Sequence, residues 1–363
     1  MKRYLWLLFF IGLQQGQAES QPSFSPTHQA IHYFGRIDFT VPQKPRLSGA
    51  GCCLQFQFIG PECILFLRDQ GLNGNHGYLA VLIDGQYQGR IRINRDQSRY
   101  VIARNLFHGR HNLVICKATE SQTGYIEFSG ISCEKIAPPE RTPQRRIEFI
   151  GNSITCGMGL DQTEIPCGGG QWYDQTNAWL AFGPLTARRL DAEWLLSAVS
   201  GIGLTRNWNS ERPVMPQVYR NTYLNTDSTV IWPAAAFVPD LIAICLGTND
   251  FSAGDGSYKR ASLDSAQFVG EYIRFIKMLR GRYPDAQLVC LSSPALEAAK
   301  NARLMVYLQA VVEYIRGEQK DARIARFSFS RTYNKGCSGH PDREDHEQMA
   351  EELTPFFKNL MGW

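Results

Sequence analysis

The sequence predicts an α/β protein in two parts. A β-sandwich of jelly-roll type spans residues 31–137, and a three-layer α/β domain with a five-stranded parallel sheet spans 145–363. Two observations carry this. The front of the chain holds short alternating apolar runs separated by turn residues, without helical periodicity. The back alternates short continuous apolar runs with longer segments whose apolar residues recur every three or four positions. Residues 138–144, rich in proline, read as the linker, because proline breaks both ladders and helices.

Each element follows in order. Lys2 and Arg3, an apolar run over 4–13, and small residues at Gly16 and Ala18 read as a secretory signal over 1–18. About twenty apolar residues are needed to span a bilayer, so this run predicts cleavage and export rather than an anchor. The expected location is secreted or periplasmic, with no membrane association after cleavage. Residues 19–30 are polar and read as a flexible lead-in. From Ile31 onward come runs such as Cys53-Leu54-Gln55-Phe56-Gln57-Phe58 and Tyr78-Leu79-Ala80-Val81-Leu82-Ile83, with a hairpin signal at Asp84-Gly85. Regular short strands of this kind make a sandwich or jelly roll. In the second part the expected strands are 147–150, 194–199, 241–246, 288–291 and 324–329. The expected helices are 179–190, one with Phe268, Tyr272, Phe275, Ile276 and Leu279 on one face, and one with Leu304, Tyr307, Leu308, Val311 and Ile315.

Composition narrows the function. With 44% hydrophobic and 20% charged residues the chain is globular rather than disordered. Its formal charge of +4 is spread out, without the basic run of a nucleic-acid binder. No cysteine or histidine spacing fits a zinc site, so neither metal nor cofactor is expected. Ten cysteines in an exported chain permit disulfides. Cys245 and Cys290 fall in predicted buried strands and read as core thiols. Cys156 and Cys167 flank a glycine-rich loop, and a bridge between them would stiffen it.

In a parallel sheet, sites gather beyond the carboxyl ends of the strands. Those ends deliver Gly151-Asn152-Ser153-Ile154-Thr155, then Ser200-Gly201, then Gly247-Thr248-Asn249-Asp250, and His340-Pro341 precedes the last helical segment. Alone, such a serine is most often a helix cap, and the other blocks are most often turns. Their order is what gives them weight. It resembles the SGNH/GDSL hydrolase superfamily, whose four blocks would be Ser153, Gly201, Asn249 and His340. It is also similar to carbohydrate esterase family 2, through Phe34-Gly35-Arg36, His108-Gly109-Arg110-His111, Ile150-Gly151-Asn152-Ser153, Ser200-Gly201-Ile202-Gly203 and Leu246-Gly247-Thr248-Asn249-Asp250-Phe251. That resemblance covers nearly the whole mature chain. It implies a jelly roll before a hydrolase domain and removal of O-acetyl groups from plant polysaccharides such as xylan and glucomannan, often at the 6-position of hexoses. The expected partner is thus an acetylated polysaccharide or oligosaccharide, met by a monomer.

The resemblance also implies roles. Ser153 is the nucleophile and His340 the base. The N–H groups of Ser153 and Gly201 and the side-chain amide of Asn249 form the oxyanion hole. Three departures stand out. Many superfamily members have aspartate three residues before the histidine, where this chain has Cys337, so a serine–histidine dyad held by a backbone carbonyl is expected. Relatives often have an aromatic residue immediately before the histidine, where this chain has Gly339. Trp172, Tyr173 and Trp208 are the alternative sugar platform, whereas Trp179 and Trp232 read as core. Asn152 stands where many members have aspartate. His346 reads as helix surface, Asp250 as a buttress for the Asn249 turn, and Asp342, Glu344 and Asp345 as the start of a helix. The β domain is assigned a packing role. An inactive glycan-binding protein on this fold, and an esterase for acetylated cell-wall glycans or small acyl esters, are the competing functions.

Overall fold

The structure, a computed structural model, describes residues 23–257 and 259–363. The expected signal at 1–18 and the start of the lead-in at 19–22 lie outside the described residues. Residues 23–30, expected to be flexible, are instead tied down: Phe24 bridges Ile131, and Ala30 is buried.

The front forms two antiparallel sheets. Its strands are β1 (His32–Phe34), β2 (Ile37–Asp38), β3 (Arg46–Leu47), β4 (Cys53–Ile59), β5 (Cys63–Gly71), β6 (Gly77–Ile83), β7 (Gln86–Ile93), β8 (Arg99–Ala103), β9 (Arg110–Lys117), β10 (Gly124–Ser132) and β11 (Lys135–Ala137). One sheet runs β1-β4-β9-β6-β7 with β11 on β4, and the other runs β2-β3-β10-β5-β8. Alternation decides their faces. Leu54, Phe56 and Phe58 of β4 meet Leu65 and Leu67 of β5 and Ile126 and Phe128 of β10 in one core. The β6–β7 hairpin turns at Asp84 and Gly85, both with positive φ, as a tight primed turn requires.

The back is a three-layer domain. Its elements are β12 (Arg145–Gly151), α1 (Ser153–Cys156), α2 (Phe182–Arg189), β13 (Ala192–Ala198), α3 (Met215–Val218), β14 (Leu241–Ile244), α4 (Ser265–Arg282), β15 (Gln287–Leu291), α5 (Ala298–Gly317), β16 (Ile324–Phe327) and α6 (Arg343–Met361). The five strands are parallel in the order β13-β12-β14-β15-β16. Both faces are covered. Ile147 and Phe149 pack with α2 and α6, while Ile150 faces the α4–α5 side. Cys245 and Cys290 are buried free thiols within these cores. Among the described residues, no helix is long and apolar enough to cross a membrane.

The helix expected at 179–190 is split. A 3-10 turn covers Ala178–Leu180, Ala181 is extended, and α2 starts at Phe182. The break has a partner far along the chain, because His346 Nδ1 accepts the Phe182 N–H at 3.0 Å. His346 is therefore not helix surface. It is fully buried on α6, stacked on the Phe182 ring, and caps α2. Burial depresses its pKa to about 3, so it remains neutral and able to accept. The acids after His340 do begin a helix: Asp342 caps α6 by accepting the Asp345 N–H at 2.8 Å.

Candidate active site

Strand β12 ends at Gly151, where an added Cβ would fall 2.0 Å from Thr155 Oγ1, so the turn into α1 accepts only glycine. Asn152 then caps α1 by accepting the Ile154 N–H at 3.2 Å. Asparagine caps as well as aspartate does, which explains how this chain carries the exchange. Ser153 opens α1 and is nearly buried.

His340 arrives from the other end of the domain. Its Nε2 lies 2.8 Å from Ser153 Oγ, and its Nδ1 lies 3.2 Å from the Cys337 carbonyl. A carbonyl only accepts, so Nδ1 carries the proton and Nε2 presents a lone pair to the serine hydroxyl. Burial lowers the His340 pKa, and hydrogen bonding of the imidazole to the 337–338 backbone opposes the shift only partly. The loop holding the imidazole is tight. Cys337 N–H donates to Gly159, and a Cβ on Gly159 would come within 2.8 Å of the Cys337 carbonyl. Gly159 was not singled out from sequence, because its constraint comes from a loop almost 180 residues away.

The other two blocks converge on the same point. Gly201 has φ +76°, and its N–H and that of Ser153 make no hydrogen bond among the described residues. Asn249 Nδ2 donates one hydrogen to the Ile202 carbonyl at 2.7 Å, which leaves the second for another acceptor. Asp250 does more than brace the Asn249 turn. Fully buried, it accepts from the N–H groups of Leu204 and Thr205 and from Thr205 Oγ1, locking the loop after Gly201.

These groups sit on the floor of a cleft of about 770 Å³, lined also by Gln122, Met158, Trp172, Asn207, Trp208 and Asn225. Trp172 and Trp208 are 41% and 44% exposed, high values for tryptophan, and flank the opening. Tyr173 does not belong to this surface. Its ring lies edge-to-face against Trp172 with centroids 5.4 Å apart, but it is buried, and its hydroxyl meets His76 Nδ1 at 3.2 Å. Trp179 and Trp232 are buried in cores.

The disulfide differs from expectation. Cys167 pairs with Cys337, not with Cys156. The Cys156 thiol is free and buried, and donates to Glu120 Oε2 of the sandwich at 3.0 Å. The real bridge joins the loop carrying Trp172 to the residue whose carbonyl holds His340. The sandwich grips that loop too: His76 Nε2 and Tyr78 OH reach Asp174 Oδ1 at 2.8 and 3.0 Å, and Arg90 donates to the carbonyls of Asp174 and Thr176. The β domain is thus more than packing.

Comparison with known proteins agrees with this geometry. Residues 33–143 match the family described as "Carbohydrate esterase 2 N-terminal", and 149–347 match the "GDSL-like Lipase/Acylhydrolase family". Fold and cleft define an esterase of the GDSL type. More narrowly, the chain belongs to carbohydrate esterase family 2. It is 30% identical to an acetylxylan esterase / glucomannan deacetylase of Cellvibrio japonicus, over 81% of this chain and 79% of that protein. It is 30% identical to the cellulase/esterase CelE of Acetivibrio thermocellus over 95% of its own length, but spans 41% of CelE. A family two carbohydrate esterase from Clostridium thermocellum, solved with cellohexaose, superposes with TM-score 0.82 at 30% identity, covering 92% of this chain and 99% of that one. One from Cellvibrio japonicus gives 0.83 at 27% identity, covering 93% and 97%.

Proposed function

We propose that this chain is an exported O-acetylesterase that deacetylates plant polysaccharides such as xylan and glucomannan, working as a monomer with a Ser153–His340 dyad. The observation that carries the reading is the 2.8 Å approach of His340 Nε2 to Ser153 Oγ on the floor of a cleft flanked by two exposed tryptophans. Relatives named as acetylxylan esterase and glucomannan deacetylase, and a neighbour holding cellohexaose, support the glycan. The Cys167–Cys337 bridge fits an oxidising compartment.

The chemistry follows from the donors and acceptors. Ser153 Oγ attacks the acetyl carbonyl as His340 Nε2 takes its proton. The negative oxygen is met by the N–H groups of Ser153 and Gly201 and the free hydrogen of Asn249. His340 then protonates the leaving sugar oxygen. Water, deprotonated by the same imidazole, releases acetate from the acyl-serine. The imidazolium formed on the way is held by the Cys337 carbonyl, which takes the place of a carboxylate. Trp172 and Trp208 provide flat apolar faces on which a sugar ring can rest.

The test is hydrolysis of 4-nitrophenyl acetate, followed by acetate release from acetylated xylan and glucomannan. Wild type turns over all three, while folded Ser153→Ala and His340→Ala do not. A folded Ser153→Ala enzyme with full activity overturns the reading.

A further inference from the structure

We propose that the β-sandwich takes part in catalysis at one remove: Glu120 and Gln122 are positioning residues that clamp the two peptides preceding the Gly201 N–H. This rests on the Ser153–His340 reading above. Both residues lie in the connection from β9 to β10, far from the parallel sheet in sequence. Glu120 Oε2 accepts the Ser200 N–H at 2.7 Å, and Gln122 Nε2 donates to the Ser200 carbonyl at 2.9 Å. The second contact matters most for direction. The Ser200 carbonyl and the Gly201 N–H belong to one planar peptide, so holding the oxygen sets where the N–H points. The first contact fixes the peptide before it. Gly201, with φ +76° and no side chain to pack, cannot set its own orientation.

Glu120 also reaches the nucleophile. The same Oε2 accepts the thiol hydrogen of Cys156 at 3.0 Å, and Cys156 ends the short helix that Ser153 begins. One buried carboxylate therefore spans the two N–H groups of the oxyanion hole. It is itself well anchored. Its backbone carbonyl accepts from Lys117 Nζ and Thr123 Oγ1, both at 2.8 Å. Burial pushes the Glu120 carboxyl up and pulls Lys117 down to about 8, while each charge opposes the other's shift. Burying a carboxylate is costly, and a structural seam is better served by apolar side chains. Two donors from two catalytic blocks give this one a reason to be there.

Two substitutions separate reach from charge. Glu120→Gln keeps an oxygen at the same reach but loses the charge. Glu120→Asp keeps the charge beside Lys117 but is one methylene short. A positioning role predicts that Glu120→Asp loses about tenfold or more in kcat on 4-nitrophenyl acetate with KM within about twofold, because misalignment by less than 1 Å is felt only in the transition state. Glu120→Gln is then within about threefold of wild type. The opposite ranking assigns Glu120 to balancing Lys117 and overturns the proposal, as does wild-type kcat in both variants. Gln122 is exposed, so Gln122→Leu folds whatever the Glu120 variants do. It is expected to lose about fivefold in kcat at constant KM, and an unchanged kcat there also overturns the clamp. Ser153→Ala is assayed alongside. If it is inactive and the clamp variants are wild type, only this inference fails; if it is active, the dyad reading fails first.

Discussion

Among the described residues, His340 Nδ1 meets a backbone carbonyl rather than a carboxylate, and the side chain lines the cleft half-buried. Desolvation lowers its pKa from the usual histidine value of 6.5. In the proposed mechanism His340 acts as a base only when neutral, so activity is expected to fall as pH drops through that lowered pKa. The midpoint of the acid limb of kcat/KM is therefore expected below pH 6.5. A limb centred at or above pH 7 would mean that a negative group supports the imidazole. Asn249 gives a second prediction. One amide hydrogen is bound to the Ile202 carbonyl and the other is free for an oxyanion. Asn249→Ala is expected to cut kcat by roughly a hundred- to a thousand-fold with little change in KM. A loss smaller than about fivefold would remove Asn249 from the oxyanion hole. Ser153, Gly201 and Asn249 stood out in the sequence because each follows a strand with a clear apolar run, whereas His340, in a turn before the last helix, stood out only through the order of the blocks and the resemblance it carries. Tyr173 and His346 were misread for one reason. Whether an aromatic or a histidine faces a cleft or a core depends on which neighbour it meets, and those neighbours, His76 and Phe182, lie some 100 and 160 residues away.

At the level of elements, the strands and long helices could be read because periodicity is a local property. α4 and α5 bury the faces that their apolar spacing indicated, apart from Tyr307, which is only partly buried. The disulfide could not be read. Sequence proximity favoured Cys156, but the bridge closes over 170 residues, between Cys167 and Cys337. Its placement has a functional consequence. It joins the loop bearing Trp172 to the turn whose carbonyl orients His340, so breaking it frees Trp172 and His340 together. Cys167→Ser leaves the Cys337 carbonyl in the chain but unties it. The expected outcome is a folded enzyme with kcat on 4-nitrophenyl acetate lowered by about tenfold, and a larger loss of kcat/KM on a polysaccharide that must rest on Trp172. Treating the wild type with a thiol reductant should reproduce the first loss, because the other eight cysteines are already free. Equal kcat in oxidised and reduced enzyme would show that Gly159 and the 336–340 turn hold the base unaided.

Across the whole molecule, the sequence divides the chain at its prolines, but the structure joins the halves through buried polar groups that no local pattern announces. Arg36, in the turn between β1 and β2, is the clearest case. It is fully buried against the second domain and donates to Ser197 Oγ and to the carbonyls of Tyr219 and Asn221 at 2.8 to 3.2 Å. Its guanidinium lies between the rings of Tyr219 and Trp232. Glu148, on β12, accepts from the same Ser197 hydroxyl and from Tyr219 OH. Burial raises the Glu148 pKa and lowers that of Arg36, and their mutual attraction opposes both shifts. The pair therefore keys the sandwich to the strand that leads into Ser153. Removing one partner strands the other charge in the core. Arg36→Ala is expected to cost about 3–5 kcal/mol in denaturant unfolding, while Arg36→Met combined with Glu148→Leu costs less than Arg36→Ala alone. The sandwich holds the Trp172 loop as well as Ser200, so loosening the seam should also lower kcat in Arg36→Ala under conditions where the protein remains folded. If stability falls and kcat is untouched, the two domains share a core without sharing the active site, and the catalytic geometry belongs to the α/β domain alone.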